Sequence, residues 1–134
     1  MEDAMARLTG YIRLPDPVRE HTLAAAHQQA KRAAAQYARL LAAEAGIAAR
    51  AVHPAVARLV FRLVEDITGP SATLVAAYTA SGRRLWHVDT DDEWPDESLV
   101  TDHLAAAAEW DDNAFTIVDT DTDGKYLYEH HLDD

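Results

Sequence analysis

Carboxylates at alternate positions near the C-terminus could bind a hard divalent cation. Residues 119–124 read Asp-Thr-Asp-Thr-Asp-Gly, which matches the first six positions of a calcium-binding loop. The twelfth position of such a loop needs a bidentate Glu, but it is His130 here, and the flanking residues alternate as strands do. An acidic turn between two strands accounts for the same residues, so both interpretations stay open. The candidate ligands for a weak Ca²⁺ or Mg²⁺ site are Asp119, Asp121 and Asp123.

A short repeated tetrapeptide indicates a second set of candidate carboxylates. The tetrapeptide Val-Asp-Thr-Asp occurs at 88–91 and again at 118–121, each time at the end of a predicted strand. If the two strands are neighbours, their carboxylates converge at one end of the sheet, where they either raise one pKa or hold a cation. The competing interpretation is that the acids point into solvent. The alternative function is therefore a divalent-cation protein or a metal-dependent enzyme that uses Asp89, Asp91, Asp119, Asp121 and Asp123.

The segment at 89–97 is acidic but contains a tryptophan. A large aromatic side chain surrounded by carboxylates suits contact with a basic protein surface. The competing interpretation is that Trp94 folds back onto the start of the helix that follows. The predicted interaction residues are Asp89, Asp91, Asp92, Glu93, Trp94, Asp96 and Glu97.

The charge distribution supports a basic protein partner. Residues 1–88 carry 11 Lys and Arg against 7 Asp and Glu, a formal +4. Residues 89–134 carry 16 Asp and Glu against Lys125 alone, a formal −15, so the whole chain is at −11. A field of this sign repels nucleic acid and favours cations or basic proteins. Nucleic-acid binding is not expected, although mimicry of nucleic acid by regularly spaced carboxylates stays open.

The chain lacks the residues that several kinds of catalytic chemistry require. The chain has no Cys, which excludes disulfides, thiolate metal sites and a Cys nucleophile. Its seven His show no zinc-binding spacing, and neither a G-x-S-x-G nucleophile motif nor a Gly-rich phosphate loop occurs. We therefore predict no catalytic residue and no cofactor other than the weak cation above, which favours a protein that is not an enzyme.

The first third of the chain predicts helix. Asp16-Pro17 is a helix start, and the segment 17–45 is rich in helix formers up to Gly46, a predicted stop. A seven-residue stripe on this helix either packs inside the monomer or forms the seam of a homodimer through residues 17–45. A second helix is predicted between Pro54 and Gly69, where apolar residues recur at helical spacing. The stripe contains Leu23, Ala26, Ala30, Ala33, Ala34, Tyr37, Leu40 and Leu41.

The remainder alternates as strands around one more helix. Hairpins are predicted at 72–90 and 114–131, with a helix from 95 or 96 to 110 between them. The fold class is α+β: two N-terminal helices, one long and Ala-rich, followed by hairpin–helix–hairpin, with a small and mainly antiparallel sheet packed by helices. We expect a single domain, 1–134, with a helical part at 17–69, a ββαββ part at 72–134 and a four-stranded sheet.

Three functions follow from these patterns. The first is a non-enzymatic interaction module, of the inhibitor, immunity-protein or adaptor kind, that binds a basic protein surface through its acidic C-terminal third. The second is the cation-dependent alternative, and the third is a structural subunit that self-associates through the long helix. The N-terminus lacks the pattern of a signal peptide, and no window approaches the roughly 18 apolar residues of a membrane span. We expect a cytoplasmic protein with no membrane contact.

Overall fold

The computed structural model of the chain describes residues 10–120 and 123–132. It divides into two compact units, Met1–Ala34 and Ala35–Asp134. Helix α1 covers Asp16–Val52 and begins at the predicted Asp16-Pro17 signal. In the first unit, the side chain of Arg19 pairs with Asp16 one turn earlier and so supports this helix start.

Helix α1 does not end at Gly46, as the sequence predicted, but continues to Val52. The face that it buries in the second unit is made of very small residues at intervals of three and four: Ala38, Ala42, Ala45, Gly46 and Ala49. Gly46 belongs to this face because the side chain of Leu132 fills the space beside it. Close packing thus explains a glycine that resembles a helix stop in the sequence.

The predicted second helix is wrong, because strand β1 occupies Arg58–Asp66. A short apolar run fits a helix and a strand that is buried on both faces equally well, so its spacing does not separate the two. The structure shows the second case, with Leu59, Val60 and Phe61 buried in succession. The Val and Phe content of this segment also favours a strand.

Both predicted hairpins are present, with the predicted helix between them. Strands β2 (Gly69–Tyr78) and β3 (Arg84–His87) form the first hairpin, and β4 (Thr116–Thr120) and β5 (Tyr126–His131) form the second. Helix α2 covers Ser98–Trp110. The sheet has five strands, not four, in the order β3-β2-β1-β5-β4 with every pair antiparallel. An α+β fold packed by helices is therefore confirmed, with β1 joining the hairpins.

One face of the sheet carries the core of the second unit. Leu59 and Phe61 of β1 are fully buried beneath the C-terminal part of α1 and beneath α2. Each large apolar side chain buried in this way contributes about 1.5–3 kcal/mol to the free energy of unfolding. The helical side chains in this cluster are Ala45, Ala49, Val100 and Leu104.

Three of the four large residues of the predicted stripe on α1 are exposed, so they do not lie on its buried face. Leu23 is 64% exposed and Leu40 is 58% exposed, while Tyr37 contacts the ring of Trp110 edge to face. Leu41 is half-buried against Ala38 and Ala42. The homodimer seam at 17–45 accordingly stays a prediction. None of the helices in the part of the chain that the structure describes is both long and apolar enough to cross a membrane.

Candidate functional site

The strongest candidate site is the segment 89–97, called the acidic loop below, which joins β3 to α2. Trp94 anchors it from within, because its side chain is only 1% exposed. The ring of Trp94 contacts those of Trp86 and His53, with centroids 5.3 and 5.0 Å away. The tryptophan that the sequence placed in a contact surface is therefore a core residue that fixes the loop.

A second aromatic anchor comes from the preceding strand. The indole Nε1 of Trp86 donates a hydrogen bond of 2.7 Å to the backbone carbonyl of Asp92. Trp86 itself is 6% exposed and belongs to the same core cluster as Trp94. The two tryptophans hold the middle of the loop, so the side chains of Asp92 and Glu93 start from a fixed backbone.

Polar contacts fix the start of the loop. The Asp91 carboxylate accepts the backbone N–H of His87 at 2.7 Å, and the Asp91 N–H donates to the His87 carbonyl at 3.0 Å. The N–H of Asp89 donates to Nδ1 of His87 at 3.1 Å, which requires that this ring nitrogen carries no proton. His87 is absent from the predicted site residues, although its spacing of two and four residues from Asp89 and Asp91 is a usable signal.

Glu97 fixes the end of the loop. Its side chain reaches β2 and accepts the backbone N–H of Leu74 at 3.2 Å. It does not cap helix α2 with its own side chain, although it occupies the position before Ser98. Asp96, just before it, has a positive φ of 48°, a conformation that Asp and Asn tolerate better than other residues with a side chain. Two of the predicted interaction residues, Asp91 and Glu97, are thus partly structural.

The remaining carboxylates of the loop face solvent. Asp89, Asp92, Glu93 and Asp96 are all exposed. Among the residues that the structure describes, no Lys or Arg comes within 4 Å of these four carboxylates; Asp89 lies beside the His87 ring, whose Nδ1 is 3.9 Å from its carboxylate. Rigid backbone and unpaired charge together make a surface that can attract a cation or a basic side chain.

The second acidic segment lies elsewhere. Asp119 is in β4, and the order of the sheet places β3 and β4 at opposite edges, four strand spacings or about 19 Å apart. The two strands run in the same direction, so their C-terminal ends, where the acids lie, are at the same end of the sheet. The predicted convergence of Asp89 and Asp91 with Asp119 is wrong, because three strands separate β3 from β4. Asp121, the fourth carboxylate of that prediction, lies outside the described residues.

The predicted cation site at Asp119, Asp121 and Asp123 lies only partly within the described residues. Asp121 lies outside the described residues, so this site stays a prediction. The Asp119 carboxylate accepts the N–H of the next residue, Thr120, at 2.8 Å, and both residues belong to strand β4. Within 10–120 and 123–132, no three His, Asp or Glu side chains are grouped as metal ligands would be.

Comparison with known proteins adds no relative from which a function could be transferred. Neither the protein-family models, nor the curated proteins, nor the solved structures gave a match to this chain.

Proposed function

We propose that this protein is a non-enzymatic interaction module that binds a basic protein surface through its acidic loop. One observation carries the proposal: four exposed carboxylates without a Lys or Arg partner stand on a backbone that two core tryptophans hold in place. A fixed array of this kind loses little conformational entropy on binding, since its backbone is already ordered. An inhibitor, an immunity-type protein and an adaptor all fit this mode of binding.

The charge balance of the chain favours such a partner. A cluster of one sign accelerates encounter with the opposite sign, and the effect falls as salt screens the charges. The overall charge of −11 acts in the same direction as the loop. The affinity for a basic ligand should therefore depend on salt and on the position of the charges. Dependence on position distinguishes binding at a specific site from attraction by the net charge.

The test compares two triple variants that change the net charge equally. Asp92→Asn, Glu93→Gln and Asp96→Asn neutralise the loop and spare its structural carboxylates, Asp91 and Glu97. The control variant, Glu65→Gln with Asp102→Asn and Glu109→Gln, neutralises three exposed carboxylates outside the loop.

The probe is a peptide of ten lysines, titrated into ¹⁵N-labelled protein and followed by amide chemical shifts at low and high salt. We expect the shifts to centre on the acidic loop, and the affinity to fall about tenfold or more in the loop variant and about twofold or less in the control. Equal weakening in both variants would mean that the peptide responds to net charge alone, and would refute the proposal.

A further inference from the structure

A groove separate from the acidic loop lies along the C-terminal part of helix α1. Its volume is about 370 Å³, and it belongs entirely to the second unit. Ala42 and Ala43 contribute methyl groups from the helix and Gly46 its bare backbone, and Ala114 and Leu132 add further apolar lining. The volume and the mainly apolar lining match those of sites for small ligands.

The length of the groove suits an extended occupant. Its lining on the helix runs from Ala38 to Arg50, twelve residue steps or about 18 Å. An extended aliphatic chain can lie along an apolar wall of this length.

Among the described residues, the charges that line the groove have the opposite sign to the net charge of the chain. Arg39 and Arg50 line it with Asp111, a formal +1, whereas the chain carries −11. Arg50 is held in place by the carbonyls of Val56 and Leu132, at 2.9 and 3.5 Å. The Arg39 side chain is exposed, and its guanidinium makes no hydrogen bond or ion pair with any other residue in the described part of the chain. An anionic head group therefore has a cation available at the rim.

A second groove of about 420 Å³ provides an internal comparison. Of the described residues that line it, Glu65 and Asp112 are charged and none is Lys or Arg, a formal −2; Leu63, Phe115 and Tyr128 lie beside them. Two grooves of similar size in one protein thus differ in the sign of their charge. A ligand chosen by electrostatics distinguishes them.

We propose that the groove along α1 binds an aliphatic carboxylate, with its chain beside Ala42, Ala43 and Gly46 and its carboxylate at Arg39. Apolar burial supplies most of the affinity, and the cation at the rim selects the sign of the head group. This site does not depend on the acidic loop, so the two proposals succeed or fail separately.

The test is a titration of ¹⁵N-labelled protein with decanoate below its micelle concentration, followed by amide chemical shifts. We expect shifts confined to residues 38–50, to Ala114 and to 130–132. Ala43→Leu fills the groove from an exposed position and should abolish these shifts. Its control, Ala51→Leu, makes the same change at another exposed alanine of the same helix and should leave binding intact.

Two further arms test the charge and the chain. Arg39→Gln should weaken decanoate about tenfold, whereas Arg32→Gln, at another exposed arginine of α1, should change it by less than about twofold. Octanoate, shorter by two methylenes, should bind several-fold more weakly, since each fully buried methylene is worth about fourfold in affinity. Decylamine should not bind in this groove.

Three results would overturn the proposal. The proposal is refuted if decanoate does not shift the amide signals of the groove. It is also refuted if decylamine shifts those signals as strongly as decanoate does. Light scattering supplies the third: a dimer that Ala43→Leu disperses and Ala51→Leu does not, together with no response to decanoate, would assign the groove to a second copy of the chain. Arg39→Gln keeps the test decisive even if Ala43→Leu fails to fold.

Discussion

Leu132 occupies the space that a side chain at position 46 would need. A Cβ built on Gly46 would lie 3.0 Å from Cγ of Leu132 and 3.3 Å from its Cδ2. Real Cβ atoms rarely approach other carbons so closely, so the glycine and the leucine are matched across about 86 positions of sequence. This contact joins the helix to the residue that follows the last strand.

The first prediction is that positions 46 and 132 are energetically coupled. A Gly→Ala change inside a helix normally stabilises it by about 1 kcal/mol. We expect Gly46→Ala to give that gain only when Leu132→Ala has removed the close contact, and to give less than that gain, or a loss, with Leu132 in place. Urea unfolding of the two single variants and the double variant measures the coupling. The same effect of Gly46→Ala in both backgrounds would show that Leu132 simply moves aside.

The second prediction concerns Trp94 as a core residue. Trp94→Ala should lower the free energy of unfolding by about 3–5 kcal/mol, because it leaves a cavity beside Trp86. Trp110, which is 54% exposed and contacts only the Tyr37 ring among the aromatic side chains described, is the matched control. Trp110→Ala should cost about 1 kcal/mol. Similar losses for the two variants in urea unfolding would contradict the structural placement of Trp94.

The third prediction is that ionisation of Glu129 makes the stability of the protein depend on pH. Its hydrogen bond with His131, at 2.9 Å, and its contact with Arg58, at 3.2 Å, lower the pKa of the Glu129 carboxyl from its ordinary value. A lowered pKa stabilises the folded state above the pKa of an unfolded glutamate, about 4.3, and this stability is lost as the pH falls through the folded value.

The comparison variant for this prediction is Glu129→Gln. Its free energy of unfolding should lie below that of the unmodified protein at pH 6 and converge on it as the pH falls from about 5 to 3. Taking the difference between the two proteins removes the contribution of the other carboxylates. A gap that stays constant over this range would show that the Glu129 carboxyl is not stabilised as an anion.

The fourth prediction concerns the backbone of the acidic loop at Asp96, where φ is 48°. Asp96→Asn should leave the free energy of unfolding within about 0.5 kcal/mol, because Asn tolerates this conformation. Asp96→Val should lower it by about 1–2 kcal/mol, because a β-branched side chain does not. Thermal or urea unfolding separates the two. If Val proves as stable as Asn, the loop adopts a different backbone at this residue.

The four predictions rest on contacts of which the sequence predicted only some. Local signals were reliable: Asp16-Pro17 begins helix α1, and Gly82 and Gly124 adopt the positive φ that their turns require. These features depend on residues close together in the chain, so their spacing is sufficient. The exposed acids of the loop were predicted for the same reason, since a run of charges has no favourable place in a core.

The features that were wrong all depend on distant partners. The residues of β1 satisfy a helical pattern as well as a strand pattern, and only pairing with β2 and β5 decides between them. Gly46 resembles a helix stop until Leu132 is placed beside it. Trp94 resembles an exposed anchor until Trp86 and His53 surround it.

The sequence alone determined the α+β class, the two hairpins, helix α2 and the concentration of negative charge in the last third of the chain. The tertiary structure decided which acids share a surface, because the order β3-β2-β1-β5-β4 places those after β3 and those of β4 at opposite edges. It also formed the groove along α1 from residues of the helix and of the last strand, including Ala42 and His130, which are joined by a hydrogen bond of 2.9 Å. Turns and charge are local properties, whereas strand order and cavities exist only once distant segments pack.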